Sequence, residues 1–133
     1  MAASSQIILL ATWSRAPLLH LADLRPGQHL TSLGVDEPGK AELADDVLRA
    51  ARLVVDSEDL AGQAGALAPD RLRDVRPVTL GQVLAGACPG RSGRDELTVY
   101  APVGLPWQDL AVAWIAYQAA IAGGRGVDVN LLA

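Results

Sequence analysis

The chain has 133 residues, of which half are hydrophobic and a fifth charged, with a net charge of −4 and a single cysteine. That length fits one domain able to hide roughly two thirds of its unfolded surface, and the apolar content excludes disorder as the default state. The acidic balance gives no electrostatic reason to expect nucleic acid or an anionic membrane as partner. Cys88 alone allows no internal disulfide, which fits a reducing cytoplasm. No basic residue precedes "IILLA", so the plan of a signal peptide is missing. The longest apolar stretch, "LAVAWIAYQAAIA", is interrupted by Gln118 and falls short of the ~20 residues a membrane span needs. The expectation is a soluble, cytoplasmic protein without nucleic-acid or membrane partners.

In chain order, apolar runs and helical patterns take turns. "QIILLAT" (6–12) is a short apolar run ended by Trp13-Ser14-Arg15 and Pro17, and it reads as a buried strand. "QHLTSLGV" (28–35) follows the turn "RPG" and reads as a second strand. "KAELADDVLRAA" places Leu43, Val47, Leu48 and Ala51 on one helix face. "RLVVDS" (52–57) is a third strand, followed by a weak helix, "EDLAGQAGAL", loosened by two glycines. "TLGQVLAG" (79–86) is helical and leads into the polar loop "CPGRSGRD". "ELTVYAPV" (96–103) is a fourth strand in which Pro102 blocks a late ladder hydrogen bond. A long helix runs from about Trp107 to Ala122 and stops at Gly123-Gly124, and "GVDVNLL" (126–132) is a possible last strand. Strands alternating with helices predict an α/β layered fold with a mostly parallel sheet.

Two features point beyond an ordinary small domain. The first strand is nearly all apolar, and such strands normally have neighbours on both sides. The long C-terminal helix carries Leu110, Val112, Trp114, Ile115, Tyr117 and Ile121 on more than one face, so it wants cover all round.

In open parallel sheets ligands collect outside the carboxyl ends of the strands, and Thr12, Asp36 and Asp56 all fall at such ends. Asp36 has two readings. One is a helix N-cap, with Pro38 in the first turn and Glu42 early in the helix. The other is a reactive carboxylate that takes a proton from a bound amine, its pKa raised by partial burial and lowered by the helix start. Lys40 near a helix start sits against the helix dipole; an anionic ligand there would explain it, while an exposed lysine is the ordinary reading. His20 and His29 lack metal-ligand spacing with each other or with Cys88, so they read as surface or loop residues, and no metal site is expected. Cys88 has only Arg91 nearby to lower its pKa, which argues against a nucleophile. Trp107 and Trp114 lie seven apart on one helix face and read as packing residues.

Six ordered blocks carry a resemblance. "LLAT", "LRPGQHL", "LGVDEPGKAEL", "RLVVDS", "LGQVLAG" with "GRSGRDELTVY", and "VGLPWQDLAVA" followed by Tyr117 together resemble the C-terminal half of the ornithine cyclodeaminase and mu-crystallin family. The resemblance implies a Rossmann-type nucleotide domain that uses NAD(H) or NADP(H), in an enzyme that oxidises and deaminates an amino acid or reduces an imine. Residue by residue, it implies that Asp36 is the acid–base group and that Lys40 touches the dinucleotide. It implies further cofactor contacts from Thr12, Leu33, Gly34, Val35 and Pro102, and a substrate contact from Val103. The family usually has serine where this chain has Pro102, and that change removes a hydroxyl and a backbone N–H.

A dinucleotide-binding unit also needs a Gly-rich turn between its first strand and helix. No GxGxxG occurs in these residues: "GGRGVD" follows a helix, which is the wrong context. The expectation is a partial Rossmann-like α/β domain lacking the first Gly-rich βαβ unit. Residues 1–104 form the nucleotide-domain part, and residues 105–133 form a helix and strand that in the family return to the substrate and dimerisation domain. Three origins stay open: a shortened gene product, one half of a split enzyme, or a reused binding module. In each, the chain is expected to be inactive alone and to pair with itself or with a complementary N-terminal half.

Overall fold

The computed structural model describes residues 4–132. Its contacts divide the chain into two compact units, Met1–Val103 and Gly104–Ala133. The first unit is built on five strands, β1 (Ile7–Leu10), β2 (His29–Ser32), β3 (Arg52–Val55), β4 (Val78–Thr79) and β5 (Thr98–Tyr100). They form one sheet in the order β1-β2-β5-β3-β4, and every pairing is parallel. The α/β reading therefore holds, and the sheet is all-parallel among the described residues.

Strand register explains why one face of this sheet is a core and the other is not. Leu30, Val99 and Leu53 stand side by side in register, and with Val55 they are buried under α1 (Asp45–Ala50) and α2 (Glu58–Gln63). Val47 and Leu48 of α1 and Ala61 of α2 supply the facing side chains. One residue along each strand the direction reverses, as the two-residue repeat requires. That second face carries Ile7 and Leu9 of β1, which are 71% and 62% exposed. Among the described residues β1 is also an edge strand, with β2 as its single neighbour. The flanking strands expected on both sides of "IILL" are present on one side.

Several elements depart from the sequence reading, for reasons that lie in the backbone hydrogen bonds. β1 and β2 stop short of the expected 12 and 35 because the N–H groups of Thr12 and Gly34 leave the ladder for a side-chain carboxylate. The helix expected from Lys40 starts only at Asp45, because hydrogen bonds to a distant segment hold residues 41–44 out of it. Ala41 N–H donates to the Ser14 carbonyl at 2.9 Å, and Ala44 N–H donates to that of Leu19 at 3.0 Å. β4 is a two-residue strand that the sequence did not reveal; Thr79 then caps α3 (Leu80–Leu84) by accepting from Gln82 N–H at 3.2 Å. β5 ends at Tyr100, two residues before Pro102. The turn "RPG" is present, with Gly27 at φ +80 and a Gln28-to-Arg25 backbone hydrogen bond.

The second unit holds α4 (Pro106–Ala122), with proline in its first turn and Gly123-Gly124 at its end. No strand forms in 126–132, contrary to expectation. Trp107 and Trp114 are 63% and 55% exposed, so they are not the buried packing residues their spacing suggested; Trp114 stacks on Tyr117 within the helix. No helix among the described residues is long and apolar enough to cross a membrane.

The contrast between the two units is testable by urea unfolding. Leu30 is fully buried, so Leu30→Ala should lower stability by about 2–5 kcal/mol. Leu110 of α4 is 64% exposed, and Leu110→Ala should stay within about 0.5 kcal/mol of the parent.

Candidate functional site

β1 and β2 run parallel, so their carboxyl ends open on the same edge of the sheet. The segments that leave them, through Ala11–Trp13 and through Leu33, Gly34 and Asp36, line a cavity of about 210 Å³ together with Lys40. This brings Thr12, Leu33, Gly34, Asp36 and Lys40 to one place. Val35 is buried with its side chain in the core. Pro102 and Val103 follow β5, the strand beside β2, and do not line that cavity.

The two walls of the cavity are held by Glu42, whose side chain is fully buried. Its Oε1 accepts from Thr12 N–H at 2.6 Å and from the Thr12 hydroxyl at 2.8 Å. Its Oε2 accepts from the Ser32 hydroxyl at 2.7 Å and from Gly34 N–H at 3.0 Å. Burial pushes this carboxyl up, but the Ser32 and Thr12 hydroxyls and the N–H groups of Gly34 and Thr12 outweigh it and hold it below its ordinary value. Glu42 was expected early in a helix; it is instead the centre of the strand-end junction. The signal that could have found it is a charged residue placed among the apolar residues of "AELA".

Gly34 must be glycine at this junction. A Cβ there would lie 2.1 Å from the Thr12 carbonyl oxygen and 2.4 Å from Glu42 Oε1. The need is close approach, since φ at Gly34 is not positive, whereas Gly39 in the same loop sits at φ +85.

Asp36 caps no helix, since the nearest one starts at Asp45. Its carboxylate accepts from Lys40 Nζ at 2.7 Å, and Glu37 lies 3.1 Å from the same ammonium. The Trp13 ring covers that ammonium at 4.2 Å from the ring centre, leaving the Lys40 side chain 6% exposed while Asp36 is half exposed. The Lys40 hydrogen bond is the main reason Asp36 titrates below its ordinary value, opposed by burial. The upward shift expected from partial burial is therefore overridden. Lys40 is raised in turn, chiefly by Asp36. Trp13, 83% exposed at the cavity mouth, is a site residue the sequence reading passed over.

Asp56 directly follows β3 and accepts from Ser57 N–H at 2.8 Å and Val103 N–H at 3.1 Å, so it anchors the exit of β5. His29 is neither loop nor surface: it lies in β2, half-buried, with its ring nitrogens 2.8 Å from the Thr98 hydroxyl and 3.2 Å from that of Thr31. Burial, and then the Arg91 charge, lower its pKa. His20 sits on an exposed turn. No cluster of three or more metal-binding side chains occurs among the described residues.

The profile of the ornithine cyclodeaminase/mu-crystallin family matches residues 1–124. The chain belongs to that family. It is 32% identical over 134 residues to the alanine dehydrogenase of Archaeoglobus fulgidus, covering 97% of this chain and 42% of that protein. Among solved structures, it matches an archaeal alanine dehydrogenase dimer with bound NAD at TM-score 0.87 and 30% identity, over 96% of this chain and 41% of the other. It matches Thermococcus litoralis Δ1-pyrroline-2-carboxylate reductase in complex with NADH and L-proline at TM-score 0.87 and 29% identity, over 96% and 42%. The chain thus spans about two fifths of the length of these family relatives, and its all-parallel sheet is Rossmann-like.

The junction makes a sharp prediction. Gly34→Ala should destabilise the chain by about 1–3 kcal/mol or more, as overpacking against fixed backbone does. Gly62→Ala, in α2 with nothing within 4 Å of the added methyl, should be neutral or stabilising by up to about 1 kcal/mol. Thermal melts of the two variants check both.

Proposed function

We propose that these residues form the strand-end part of a nicotinamide-dinucleotide site, NAD(H) or NADP(H), in an enzyme that interconverts amino acids and imines. The observation that carries this reading is the shared cavity: Thr12, Leu33, Gly34, Asp36 and Lys40 meet at the carboxyl ends of two adjacent parallel strands, where such sheets hold ligands. A bound nicotinamide would supply or accept the hydride at the carbon bearing nitrogen. Lys40 would contact the dinucleotide, with Thr12, the Leu33–Val35 backbone and Pro102 around it and Val103 toward substrate.

Asp36 is the acid–base group in this reading. Oxidation of an amine to an imine releases one proton as the hydride leaves, and reduction takes one up; the Asp36 carboxylate accepts and returns it. In the structure Lys40 holds that carboxylate ionised. Drawing the Lys40 ammonium toward an anionic dinucleotide would remove the strongest hydrogen bond on Asp36 and raise its pKa toward the range useful for proton return.

The pyrophosphate cradle would come from elsewhere, since these residues contain no Gly-rich strand–helix turn. The edge of β1, with Ile7 and Leu9 exposed beside it, is suited to a further parallel strand and its covering helix. Complementary N-terminal residues or a second copy would supply that cover. Residues 105–133 would lead to the substrate and dimerisation part. A second reading, a non-catalytic interaction module, is favoured by α4, whose large apolar side chains are all exposed.

Titration of the isolated chain with NADH should give no measurable binding at micromolar cofactor. When the chain is joined with a Gly-rich N-terminal half of the family, NADH-dependent reduction of a cyclic imino acid should appear. In that complex Asp36→Asn should lower kcat by about 10²–10⁴-fold. Undiminished turnover by the variant would exclude Asp36 as the acid–base group, and tight cofactor binding by the chain alone would overturn the division of the site.

A further inference from the structure

Asp36 and Lys40 are carried by the segment "GVDEPGKAE", from Gly34 to Glu42, which contains no regular secondary structure. A loop of this kind holds two side chains in fixed geometry only if its ends are tied. Here the ends are tied to each other. Residue 42 supplies the carboxylate, and residue 34 supplies one of the N–H groups it accepts. The same carboxylate reaches Ser32, the last residue of β2, and Thr12, beyond the end of β1. Outside this junction the loop is pinned on its Glu42 side, by Ala41 N–H to the Ser14 carbonyl and Leu18 N–H to the Glu42 carbonyl, at 2.9 and 2.8 Å.

We propose that Glu42 is a positioning residue of the strand-end site: its carboxylate closes the Gly34–Glu42 loop and thereby sets the geometry of the Asp36–Lys40 pair.

All four groups facing the carboxylate are donors in this geometry, two on each oxygen. A carboxylate can accept all four; a carboxamide of the same size cannot, because its NH₂ must face one of the two backbone N–H groups. The hydroxyls can turn to accept, but the amides of Thr12 and Gly34 cannot. Either orientation of glutamine therefore leaves one wall of the cavity facing a donor, and that wall moves. If Gly34 shifts, Asp36 two residues later shifts with it; if Thr12 shifts, so does Trp13, whose ring covers Lys40. The other charged groups near the Glu42 side chain are Lys40, Asp45 and Arg71, which line the small cavity behind it. Arg71 is paired with Asp45, and Lys40 with Asp36 and Glu37. None of these cations bonds the Glu42 carboxylate, so the four neutral donors carry its stabilisation.

The functional sense of this inference rests on reading the cavity as part of a dinucleotide site; its test does not. The Asp36 side-chain carboxyl is titrated by carbon-detected NMR in the full chain, in Glu42→Gln, and in Val47→Ala, a destabilising change at a fully buried core residue that takes no part in the Glu42 hydrogen bonds. The expected result is a low Asp36 midpoint in the parent and in Val47→Ala, and a midpoint moved up toward the ordinary carboxylate value in Glu42→Gln. If Glu42→Gln does not fold, Ser32→Ala removes one of the four donors and should move the midpoint in the same direction by less. An Asp36 midpoint unchanged in the folded Glu42→Gln or Ser32→Ala chain, or moved as far by Val47→Ala, overturns the proposal. A chain that bound no dinucleotide in any setting would leave the titration result standing and would count against the functional reading alone.

Discussion

The strand-end edge of this protein depends on one buried carboxylate. Placing Glu42 out of water is unfavourable by itself, and it persists there because four donors converge on it. Two of those donors are backbone amides that would otherwise continue the ladders of β1 and β2. The carboxylate thus ends both strands at a defined place and opens a cavity between the segments that leave them. Gly34 is the complement of this arrangement, because the chain passes Thr12 and Glu42 too closely for any side chain.

The fold was legible in the sequence at the level of elements and order. The runs "IILL", "HLTS", "RLVV" and "TVY" are strands, and the apolar spacing of Val47 and Leu48 belongs to a helix. Element ends were less legible, and the cause is consistent. Thr12, Gly34 and the 41–44 segment have intrinsic preferences compatible with strand or helix, but their amides are taken by groups distant in sequence: Glu42, Ser14 and Leu19. β4 is two residues long and pairs only through β3, so it leaves no periodic trace. The segment near the C-terminus, "GVDVNLL", had the pattern of a strand and forms none among the described residues.

The candidate site was legible through its blocks rather than through periodicity. Asp36 and Lys40 could be singled out, yet their relation could not. A spacing of four residues suggests a helical pair, whereas the structure joins them across an irregular loop with a glycine at positive φ. Glu42 looked like an ordinary acid in the first turn of a helix, and its apolar neighbours in "AELA" were its one local sign of burial. Its role emerges only when the ends of β1 and β2 are brought together. His29 illustrates the same limit: its hydroxyl partners are two residues away in β2 and across the sheet in β5.

One face of the sheet is a closed core, while Ile7, Leu9 and the apolar residues of α4 face solvent. The closed face and the Glu42 junction belong to the same side of the physics: both need only these residues. Native-state hydrogen exchange followed by NMR tests this most directly. If Glu42 organises the strand ends, the Thr12 and Gly34 amides exchange as slowly as those of core residues Leu30 and Val99, through unfolding of the whole unit. Fast exchange at Thr12 and Gly34, beside a protected β2 and β5, would contradict it.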